Sequence, residues 1–465
     1  MPSPGGAATM LWAAHAWIGG QWHKGVVLRI GADGCWSEVA TGVHQVPEGA
    51  TALAGPVLPG LVNAHSHAFQ RAFAGLAERR DNDSDDFWSW RDRMYGVALR
   101  ITPAQLRAIA AQLFVELLQG GYTQVCEFHY LQHQGDGRAY DDAATLSFAL
   151  ADAACDAGIG LTALPVLYER AGFGQAALRT DQRRFATTSV SVHALMQTLN
   201  AARRPLTNAG VAIHSLRAAS PEAIARLLQR IGGDDVPLHI HVAEQTREVD
   251  ECLAATGLRP MQWLARHAAL DSRWQLVHAT HASADEIESV AKSGAGIVIC
   301  PSTEANLGDG VPDLPGWLSA GVPIALGSDS QVTRNWVEEL RWLEYAQRLV
   351  LRRRNVAAAP SQAEPSTAAR LFNLALPAGA RAAGQAHWGL TQGARADALV
   401  LDHQAAGLLG IPVEQRLDAL VFAGDAAAIG SVYVAGNAVV QQGQHHAAPR
   451  IAARFKDTMA ELWGS

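Results

Sequence analysis

The stretch Pro59-Gly60-Leu61-Val62-Asn63-Ala64-His65-Ser66-His67 is an apolar run that ends in two histidines one residue apart. Side chains alternate between the two faces of a β-strand, so His65 and His67 would point the same way and could bind one ion together. A zinc ion takes roughly three or four nitrogen or oxygen ligands in such sites. The pattern therefore predicts a metal site whose remaining ligands come from other parts of the chain.

Beyond this stretch, short apolar runs alternate with Ala- and Leu-rich stretches of helical periodicity. Such alternation is typical of βα units and a parallel sheet. Helices are predicted most clearly at 103–119, 141–157, 220–231 and 283–293, with Ser220 and Ser283 as N-terminal caps. Eight runs are predicted to be strands, namely 58–64, 123–128, 160–167, 211–215, 238–242, 275–279, 296–300 and 323–327. Because eight βα units close a barrel, the sequence predicts an α/β fold, a (β/α)8 TIM barrel.

The two ends of the chain have a different texture, with short strands separated by glycine-containing turns. Examples are residues 26–30 near the start and 431–440 near the end. Two strand-rich ends around a barrel predict one small β-sandwich built from both. The predicted divisions are residues 1–57 for the N-terminal part of the sandwich, 58–381 for the barrel, 382–446 for the C-terminal part and 447–465 for a C-terminal helix.

A polar stretch from Glu78 to Asp86 and the aromatic run Phe87-Trp88-Ser89-Trp90-Arg91 interrupt the first βα unit. Long loops at the C-terminal face of a barrel usually serve the active site. A surface insertion without a function would fit Asp81 to Asp86, but it would not explain the aromatic run. We therefore expect this segment at the active site.

Composition excludes several classes of protein. The five cysteines are odd in number and include no Cys-x-x-Cys pair, which argues against a disulfide framework or a sulfur-bound metal. A net charge of -7 gives no basic surface for nucleic acid or anionic lipid. No apolar run approaches the roughly 20 residues needed to cross a bilayer, and residues 1–8 lack the pattern of a secretion signal. We expect a cytoplasmic protein with neither a nucleic acid nor a membrane as partner.

Polar residues stand at the ends of three further predicted strands, where a barrel places its chemistry. They are His241 and Glu244 after the fifth strand, His278 after the sixth and Asp329 after the eighth. A lone buried histidine is more often a hydrogen-bonded core residue than a ligand, and His239 and His281 are predicted to be structural in this sense. Packing alone explains the whole set poorly, because each unpartnered buried polar group costs about 1 to 3 kcal/mol. The set therefore predicts a metal centre.

The His-x-His pair, the His-x-x-Glu segment, the later histidine and the Ser-Asp pair occur in an order that resembles the amidohydrolase superfamily of metal-dependent hydrolases. The resemblance covers nearly the whole chain. It is more specific in longer runs, which resemble the members that hydrolyse N-formimino-L-glutamate to N-formyl-L-glutamate and ammonia in histidine degradation. These runs are residues 65–71, 87–91, 127–130, 214–217, 302–310 and 337–342.

The resemblance implies a single metal ion. Superfamily members with two metals commonly bridge them with a carboxylated lysine on the fourth strand. Residues 211–215 contain no lysine, and Lys292, the one lysine of the predicted barrel, falls in a helix. One divalent ion, with zinc as the expected metal, is thus implied on His65, His67, His241 and Asp329.

The implied reaction gives roles to the other residues. Metal-bound water can reach a pKa of about 7 and act as the nucleophile. The predicted catalytic residues are Asp329, which accepts the proton of the water, Glu244, which protonates the departing nitrogen, and His278, which polarises the attacked carbon or holds the water. Glu244 could instead anchor a metal ligand. The predicted substrate-binding residues, suited to a small dianionic substrate, are Gln70, Arg91, Tyr130, His214 and Arg217.

Other interpretations stay open at this point. Arg91 and Arg217 could form ordinary surface ion pairs. A nucleobase or aminotriazine-type deaminase of the same superfamily would share the metal site, and Trp88 and Trp90 could stack on its planar substrate. A non-catalytic scaffold would keep the barrel and lose activity. The resemblance also suggests a homodimer.

Overall fold

The computed structural model describes residues 9–79 and 86–464 of the chain. Within these ranges eight parallel strands form the barrel, which confirms the predicted fold class. The barrel closes between its last and first strands, because the Asp329 N–H donates to the His65 carbonyl at 3.0 Å and the His67 N–H donates to the Asp329 carbonyl at 3.3 Å. The barrel strands are Leu61–Ser66, Tyr122–His129, Gly160–Leu167, Val211–Ile213, Leu238–Val242, Trp274–His278, Gly296–Ile299 and Ile324–Leu326.

The first barrel strand begins later than the sequence predicts. Residues 58–64 were one predicted strand, whereas the structure pairs Val57–Leu58 with the terminal sheet and starts the barrel at Leu61–Ser66. Gly60 lies between the two, where an added Cβ would come within 2.4 Å of the Thr123 hydroxyl oxygen. The backbone therefore crosses from the sheet into the barrel at a point too crowded for a side chain.

Both ends of the chain contribute to one mixed sheet, which has nine strands among the described residues. Val57–Leu58 pairs antiparallel with Ala398–Leu401 and thereby joins the N- and C-terminal halves. The sheet folds back on itself around its own apolar core, since the Trp36 N–H donates to the Ala394 carbonyl at 2.8 Å. The residue divisions of the domains stay a prediction. The strands are Met10–Ile18, Gln21–Ile30, Trp36–Ala40, Thr51–Ala52, Val57–Leu58, Ala398–Leu401, Ile429–Val434, Asn437–Gln441 and Gln444–His445.

Several helices begin at side-chain caps that the sequence makes visible. Ser220 and Ser283 accept hydrogen bonds from backbone N–H groups of the first turns that follow them. None of the described helices is both long and apolar enough to cross a membrane. The helices are Phe87–Ala98, Pro103–Gln119, Thr145–Ala157, Ser189–Ala201, Pro221–Ile231, Thr246–Thr256, Pro260–His267, Ala284–Ser293, Pro301–Leu307, Leu314–Ser319, Trp336–Leu351, Thr367–Ala382, Arg416–Ala423 and Ala448–Trp463.

The aromatic run of the first βα unit forms a helix rather than a loop. Asp86 caps the helix Phe87–Ala98, accepting hydrogen bonds from the N–H groups of Trp88 and Ser89 at 3.0 Å. At the other end, the buried guanidinium of Arg184 donates to the Ala98 carbonyl. Most of the preceding polar stretch, residues 80–85, lies outside the described residues. We call Phe87–Ala98 the cover helix, because its side chains lie over the site described next.

Candidate active site

The four predicted metal ligands meet at the C-terminal end of the barrel. The Nε2 atom of His65 lies 3.2 Å from Nε2 of His67 and 3.0 Å from Nε2 of His241. Asp329 Oδ1 is 3.3 Å from Nε2 of His67 and 3.5 Å from Nε2 of His65. Ligand atoms in a tetrahedral site with zinc-nitrogen bonds of about 2.1 Å stand about 3.4 Å apart. These spacings suit one small divalent ion bound by all four side chains.

Hydrogen bonds to Nδ1 of two of the imidazole rings fix which ring nitrogen faces the place where the four ligand atoms meet. Nδ1 of His67 lies 2.9 Å from the Phe128 carbonyl, and Nδ1 of His241 lies 2.9 Å from the His214 carbonyl. A carbonyl only accepts, so each Nδ1 carries the proton and each Nε2 keeps a free lone pair. Both lone pairs face Nε2 of His65, which carries at most one proton and can donate to only one of them, so a cation is needed to satisfy the whole set. The donor set therefore fits a metal ion.

Burial keeps these imidazoles in the neutral form that binds metals. It lowers the pKa of His65 to about 3 and lowers the pKa of His67 and His241 as well. Asp329 behaves in the opposite way. Burial alone would raise its pKa, but the hydrogen bond with His65 and the positive charge of His278 outweigh burial and leave the pKa of Asp329 below its usual value. The site thus presents three neutral nitrogens and one carboxylate.

Residues at three strand ends adopt a backbone conformation that residues other than glycine rarely take. The φ angles are 52° for Ala243, 70° for His278 and 47° for Asp329. Such conformations cost of order 1 to 3 kcal/mol each and persist where the surrounding structure enforces them. Here they turn Glu244, His278 and Asp329 toward one point, which explains why the chain accepts the strain.

The three predicted catalytic side chains lie within reach of one another. Nε2 of His278 is 3.6 Å from Oε1 of Glu244 and 3.8 Å from Oδ2 of Asp329. Burial, the largest effect, raises the pKa of Glu244 to about 7 against the attraction of His278 and Arg217. Burial would lower the pKa of His278, but Glu244, Glu304 and Asp329 together raise it to about 10. A carboxyl that can carry or release a proton near neutrality therefore stands beside a charged imidazole.

Two carboxyl groups behind this cluster were not predicted as site residues. Glu304 accepts from the Cys300 N–H at 3.0 Å and lies 3.5 Å from Nδ1 of His278. Asp309 accepts from the side-chain amide of Gln245, and one of its oxygens lies near Glu244 and His278. Both belong to the run 302–310, which is one of the runs that carry the more specific resemblance. No local pattern in the sequence, however, indicates that this run forms a short helix and a turn that pack behind the sixth barrel strand.

The predicted substrate-binding residues line one pocket next to the ligands. The cover helix closes this pocket with Phe87, Trp90, Arg91, Met94 and Tyr95. Phe87, Trp90 and Arg91 belong to the aromatic run that the sequence analysis expected at the active site. Met94 and Tyr95 were not singled out, and they follow Arg91 at helical spacing. The barrel contributes His67, Gln70, Tyr130, His214, Arg217, His241, Glu244, His278, Leu307 and Asp329. All five predicted substrate-binding residues are thus brought together with the predicted catalytic residues.

Polar side chains of this pocket have donor or acceptor atoms without a hydrogen-bond partner among the described residues. The Gln70 side-chain amide donates to the Tyr130 hydroxyl at 3.2 Å, and its oxygen has no partner among the described residues. Nε of Arg91 and Nε of Arg217 are also buried without a hydrogen-bond partner in the described part of the chain. Arg217 lies 4.0 Å from Glu244 and from Glu248, a buried carboxylate that sequence analysis did not single out. The burial of Arg217 is not that of a surface ion pair, whereas Arg91 is only partly buried and also lies 3.5 Å from the exposed Asp92.

The two histidines predicted to be structural lie apart from the ligand cluster. Nε2 of His239 contacts the Ala382 carbonyl at 2.8 Å, away from the barrel centre. Nε2 of His281 contacts the Asp309 carbonyl at 2.9 Å. Each ring is bound to backbone of a neighbouring segment, which agrees with a structural role.

Replacing Gly327 with alanine is expected to disturb the metal site. The added Cβ would come within 2.6 Å of the His65 Cβ and 2.8 Å of the Cys300 sulfur, so His65 must move. Overpacking of this kind costs about 1 to 3 kcal/mol. We expect a lower melting temperature and less bound metal per chain, measured by calorimetry and elemental analysis. Gly233→Ala, where no described atom lies within 4 Å of the added carbon, is the matched control; equal metal content in both variants would contradict the prediction.

Comparison with known proteins gives the class. The model of the Amidohydrolase family matches residues 57–439, so the chain belongs to this family. A formimidoylglutamate deiminase of Pseudomonas aeruginosa is 46% identical over 97% of this chain and 99% of its own length. The more specific resemblance of the longer runs is confirmed by this relative.

Solved structures agree with the fold. An amidohydrolase of Brucella melitensis superposes with a TM-score of 0.92 at 41% identity, covering 98% of this chain and all of its own. An adenosine deaminase of Xanthomonas campestris, solved with bound zinc, superposes with a TM-score of 0.81 at 20% identity over 100% of both chains. At that identity the second likeness concerns the fold alone.

Proposed function

We propose that the chain is a formimidoylglutamate deiminase, which hydrolyses N-formimino-L-glutamate to N-formyl-L-glutamate and ammonia in histidine degradation. The observation that carries the proposal is one pocket in which a ligand set for a metal ion faces two arginines, the buried Arg217 and the partly buried Arg91. The name of the relative from Pseudomonas aeruginosa supports the substrate, since it shares almost half of its residues with this chain.

The proposed cofactor is one zinc ion held by His65, His67, His241 and Asp329. Three imidazole nitrogens and one carboxylate are ligands that zinc accepts. The zinc-containing neighbour from Xanthomonas campestris supports this choice of metal within the fold. The chemistry that zinc supplies in such a site is a bound water whose pKa falls to about 7.

The proton path in this proposal uses the chain's own carboxylates. Asp329 takes the proton of the attacking water on Oδ2, the oxygen that faces His278 at 3.8 Å. Glu244 gives the proton on Oε1 to the imine nitrogen as the water attacks. When the adduct collapses, its hydroxyl proton passes through Glu244 to the same nitrogen, the carbon–nitrogen bond breaks and ammonia leaves; the proton held by Asp329 then returns Glu244 to its acid form. His278, charged and 3.6 Å from Glu244, stabilises the negative charge between the two carboxylates while the proton moves. The cover helix excludes bulk water from this step.

The substrate's two carboxylates give the arginines their roles. Guanidinium groups bind carboxylates through two parallel hydrogen bonds, and Nε of each arginine lacks a partner among the described residues. Tyr130, His214 and Gln70 add neutral donors close to the ligands. We propose that these five side chains hold the glutamate part, with the formimino group directed at Glu244.

The decisive experiment is an ammonia-release assay that compares formiminoglutamate with guanine, adenosine and cytosine. We expect turnover of formiminoglutamate only. A preference for a ring would favour the alternative, a nucleobase or aminotriazine-type deaminase, in which Trp90 would stack on the base. No turnover of any compound by metal-loaded protein would favour the non-catalytic scaffold.

Replacing Arg217 with alanine is expected to weaken substrate binding. Loss of a buried, charged hydrogen-bond donor costs about 2 to 5 kcal/mol, so we expect kcat/KM to fall by about two orders of magnitude, mainly through KM. The measurement is steady-state ammonia release. A formimino amino acid with a single carboxylate serves as the control substrate. If Arg217→Ala lowers kcat/KM by the same factor with both substrates, Arg217 has a structural role beside Glu248 and does not bind the second carboxylate.

Two further properties complete the proposal. We propose a homodimer, which light scattering tests directly, and a cytoplasmic location. All five cysteines are free thiols, which supports a reducing compartment.

A further inference from the structure

A fully buried glutamate, Glu248, contacts the backbone of the proposed proton carrier Glu244. It lies in the first turn of the helix Thr246–Thr256, which follows the fifth barrel strand. Neither the ligand set nor the proton path described above uses it. Burying a carboxylate is unfavourable unless its oxygens find partners, so the contacts of Glu248 indicate what it is for.

Both oxygens of Glu248 accept hydrogen bonds from backbone N–H groups. Oε1 accepts from Ala243 and Oε2 accepts from Glu244, each at 3.2 Å. A glutamate at this position of a helix usually accepts the N–H of the cap residue, which is Gln245 in this helix. Glu248 instead reaches past the cap to the end of the strand. Its contacts therefore stabilise the turn before the helix.

That turn decides where the Glu244 side chain points. Ala243 has a φ of 52°, which residues other than glycine rarely adopt. The Ala243 carbonyl accepts from the His281 N–H at 3.1 Å, so the peptide groups on both sides of Ala243 are held. Relaxation of Ala243 to an extended conformation would break the two hydrogen bonds to Glu248. It would also change the direction in which Glu244 leaves the backbone.

Glu248 is also a fixed counter-charge for Arg217. Nη2 of Arg217 lies 4.0 Å from Oε2 of Glu248 and 4.0 Å from Oε2 of Glu244. Burial would lower the pKa of Arg217, but the carboxylates of Glu248 and then Glu244 raise it above its usual value. Glu248 is held by two backbone groups, so its charge stays in place while Glu244 gives and takes a proton.

Two carboxylates at equal distance divide the attraction of Arg217. Without the charge of Glu248, Glu244 would be the one carboxylate that the described structure places within 4.0 Å of Arg217. Arg217 and Glu244 would then form a direct ion pair. Arg217 would lose donors that the substrate needs, and Glu244 would hold its proton less readily, because a neighbouring positive charge favours the carboxylate form.

We propose that Glu248 is a positioning residue of the active site, which holds the turn that presents Glu244 and supplies the fixed counter-charge that keeps Arg217 from pairing with Glu244. Glu248 acts through these two side chains and binds neither metal nor substrate. Its meaning for catalysis rests on the proposed function. Its effect on the turn does not, because the two backbone hydrogen bonds are independent of any substrate.

Three variants separate the charge of Glu248 from its shape. Glu248→Gln keeps nearly the same shape but has no charge and a single acceptor oxygen. Glu248→Asp keeps the charge on a side chain that is one methylene shorter. Glu251→Gln is the matched control, because it makes the same change about one turn later in the same helix, where Glu251 is partly exposed and pairs with Arg247.

The first measurement is hydrogen exchange of the metal-loaded protein without substrate, followed by mass spectrometry. We expect the peptide of residues 238–246 to exchange about tenfold faster in Glu248→Gln than in wild type, because backbone amides of the turn lose an acceptor. Glu251→Gln should exchange like wild type. Equal exchange in wild type and Glu248→Gln would overturn the proposal. If Glu248→Gln does not fold, Glu248→Asp takes its place in this comparison.

The second measurement is the pH dependence of kcat with formiminoglutamate. Glu244 must be protonated to give its proton, so kcat falls as the pH rises through the pKa of Glu244. Burial raises this pKa to about 7, and the negative charge of Glu248 adds to the rise, so removing that charge lowers the pKa. We expect the alkaline limb to move about one pH unit lower in Glu248→Gln, and kcat above the limb to fall about tenfold.

The control variants should leave the alkaline limb in place. We expect no shift in Glu248→Asp, which keeps the charge, or in Glu251→Gln. The other groups that face Glu244 are the same in every variant, so a shift reports the charge of Glu248. They are Arg217, His278, Asp309 and Asp329.

The outcomes separate this proposal from the proposed function. A limb at the wild-type pH in Glu248→Gln, or an equal shift in Glu248→Asp, would overturn the role of Glu248. A purely structural role would lower the yield of folded protein and leave the limb unmoved. If wild type does not turn over formiminoglutamate, the proposed function fails and hydrogen exchange still decides the role of Glu248 in the turn. If turnover is found but neither exchange nor limb changes, only the role of Glu248 fails.

Discussion

The Glu244→Gln variant is expected to turn over formiminoglutamate about a thousandfold more slowly than wild type while it keeps its metal. Glutamine has nearly the same shape, but it cannot carry a proton to the leaving nitrogen, and general acid-base catalysis of this kind is worth about a hundredfold to ten thousandfold. The measurement pairs kcat from ammonia release with metal content from elemental analysis. Because Glu244 is 3.6 Å from His278 and is not among the proposed ligands, the metal should stay bound.

A matched variant separates proton transfer from the general effect of losing a carboxylate. Glu288→Gln makes the same chemical change on an exposed helix, and we expect wild-type turnover. A near-normal rate in Glu244→Gln would remove the proton-transfer role from Glu244. Loss of metal together with activity would instead make it an anchor for a ligand, the other interpretation that the sequence leaves open.

Removal of the metal is expected to abolish activity by more than about a thousandfold, and added zinc should restore it. The physical reason is that neutral water is a poor nucleophile without the acidification that a bound divalent ion provides. Protein treated with a chelator and then dialysed is assayed with and without zinc. Calcium is the control ion, since it prefers six or more oxygen ligands and the three imidazoles suit it poorly. Full activity in protein shown to be free of metal would disprove the proposed chemistry.

Metal loss should also lower thermal stability. An ion that binds only the folded chain stabilises it in proportion to its affinity and concentration. Removing it leaves the lone pairs of His67 and His241 and the Asp329 carboxylate crowded within 3.0 to 3.5 Å of Nε2 of His65, which can donate to only one of them. We expect the metal-free protein to melt at a lower temperature, and zinc to raise that temperature as it titrates the site. An unchanged melting temperature in protein that demonstrably binds zinc would contradict a preformed ligand set.

The barrel and the convergence of the four proposed metal ligands could be predicted from the sequence because both depend on local patterns. Buried parallel strands are nearly continuous apolar runs, and all residues of the strands Tyr122–His129 and Gly160–Leu167 are buried. A histidine at the end of such a run stands out. The carboxyl ends of all barrel strands lie at the same end of the barrel. Polar residues at these ends could therefore be assigned to one site, even when they are as distant in sequence as His65 and Asp329.

Other parts of the site depend on contacts that no local pattern records. The cover helix was expected as a loop, because its sequence is rich in aromatic and polar residues and its periodicity is weak. Glu304 and Asp309 act behind His278 and Glu244 only because a seven-residue helix, Pro301–Leu307, follows strand seven.

The hydrogen bonds between Asp329 and the backbone on either side of Ser66 join the two edges of the barrel, and they bear on how the protein is made. More than half of the chain separates these two residues, so a ribosome has already synthesised the first two proposed ligands long before it supplies the last. During that interval the emerging polypeptide can hold an ion only loosely through the His-x-His pair. Tight loading must await completion of the ring, which makes metal uptake a late, post-synthetic event and a readout for successful folding.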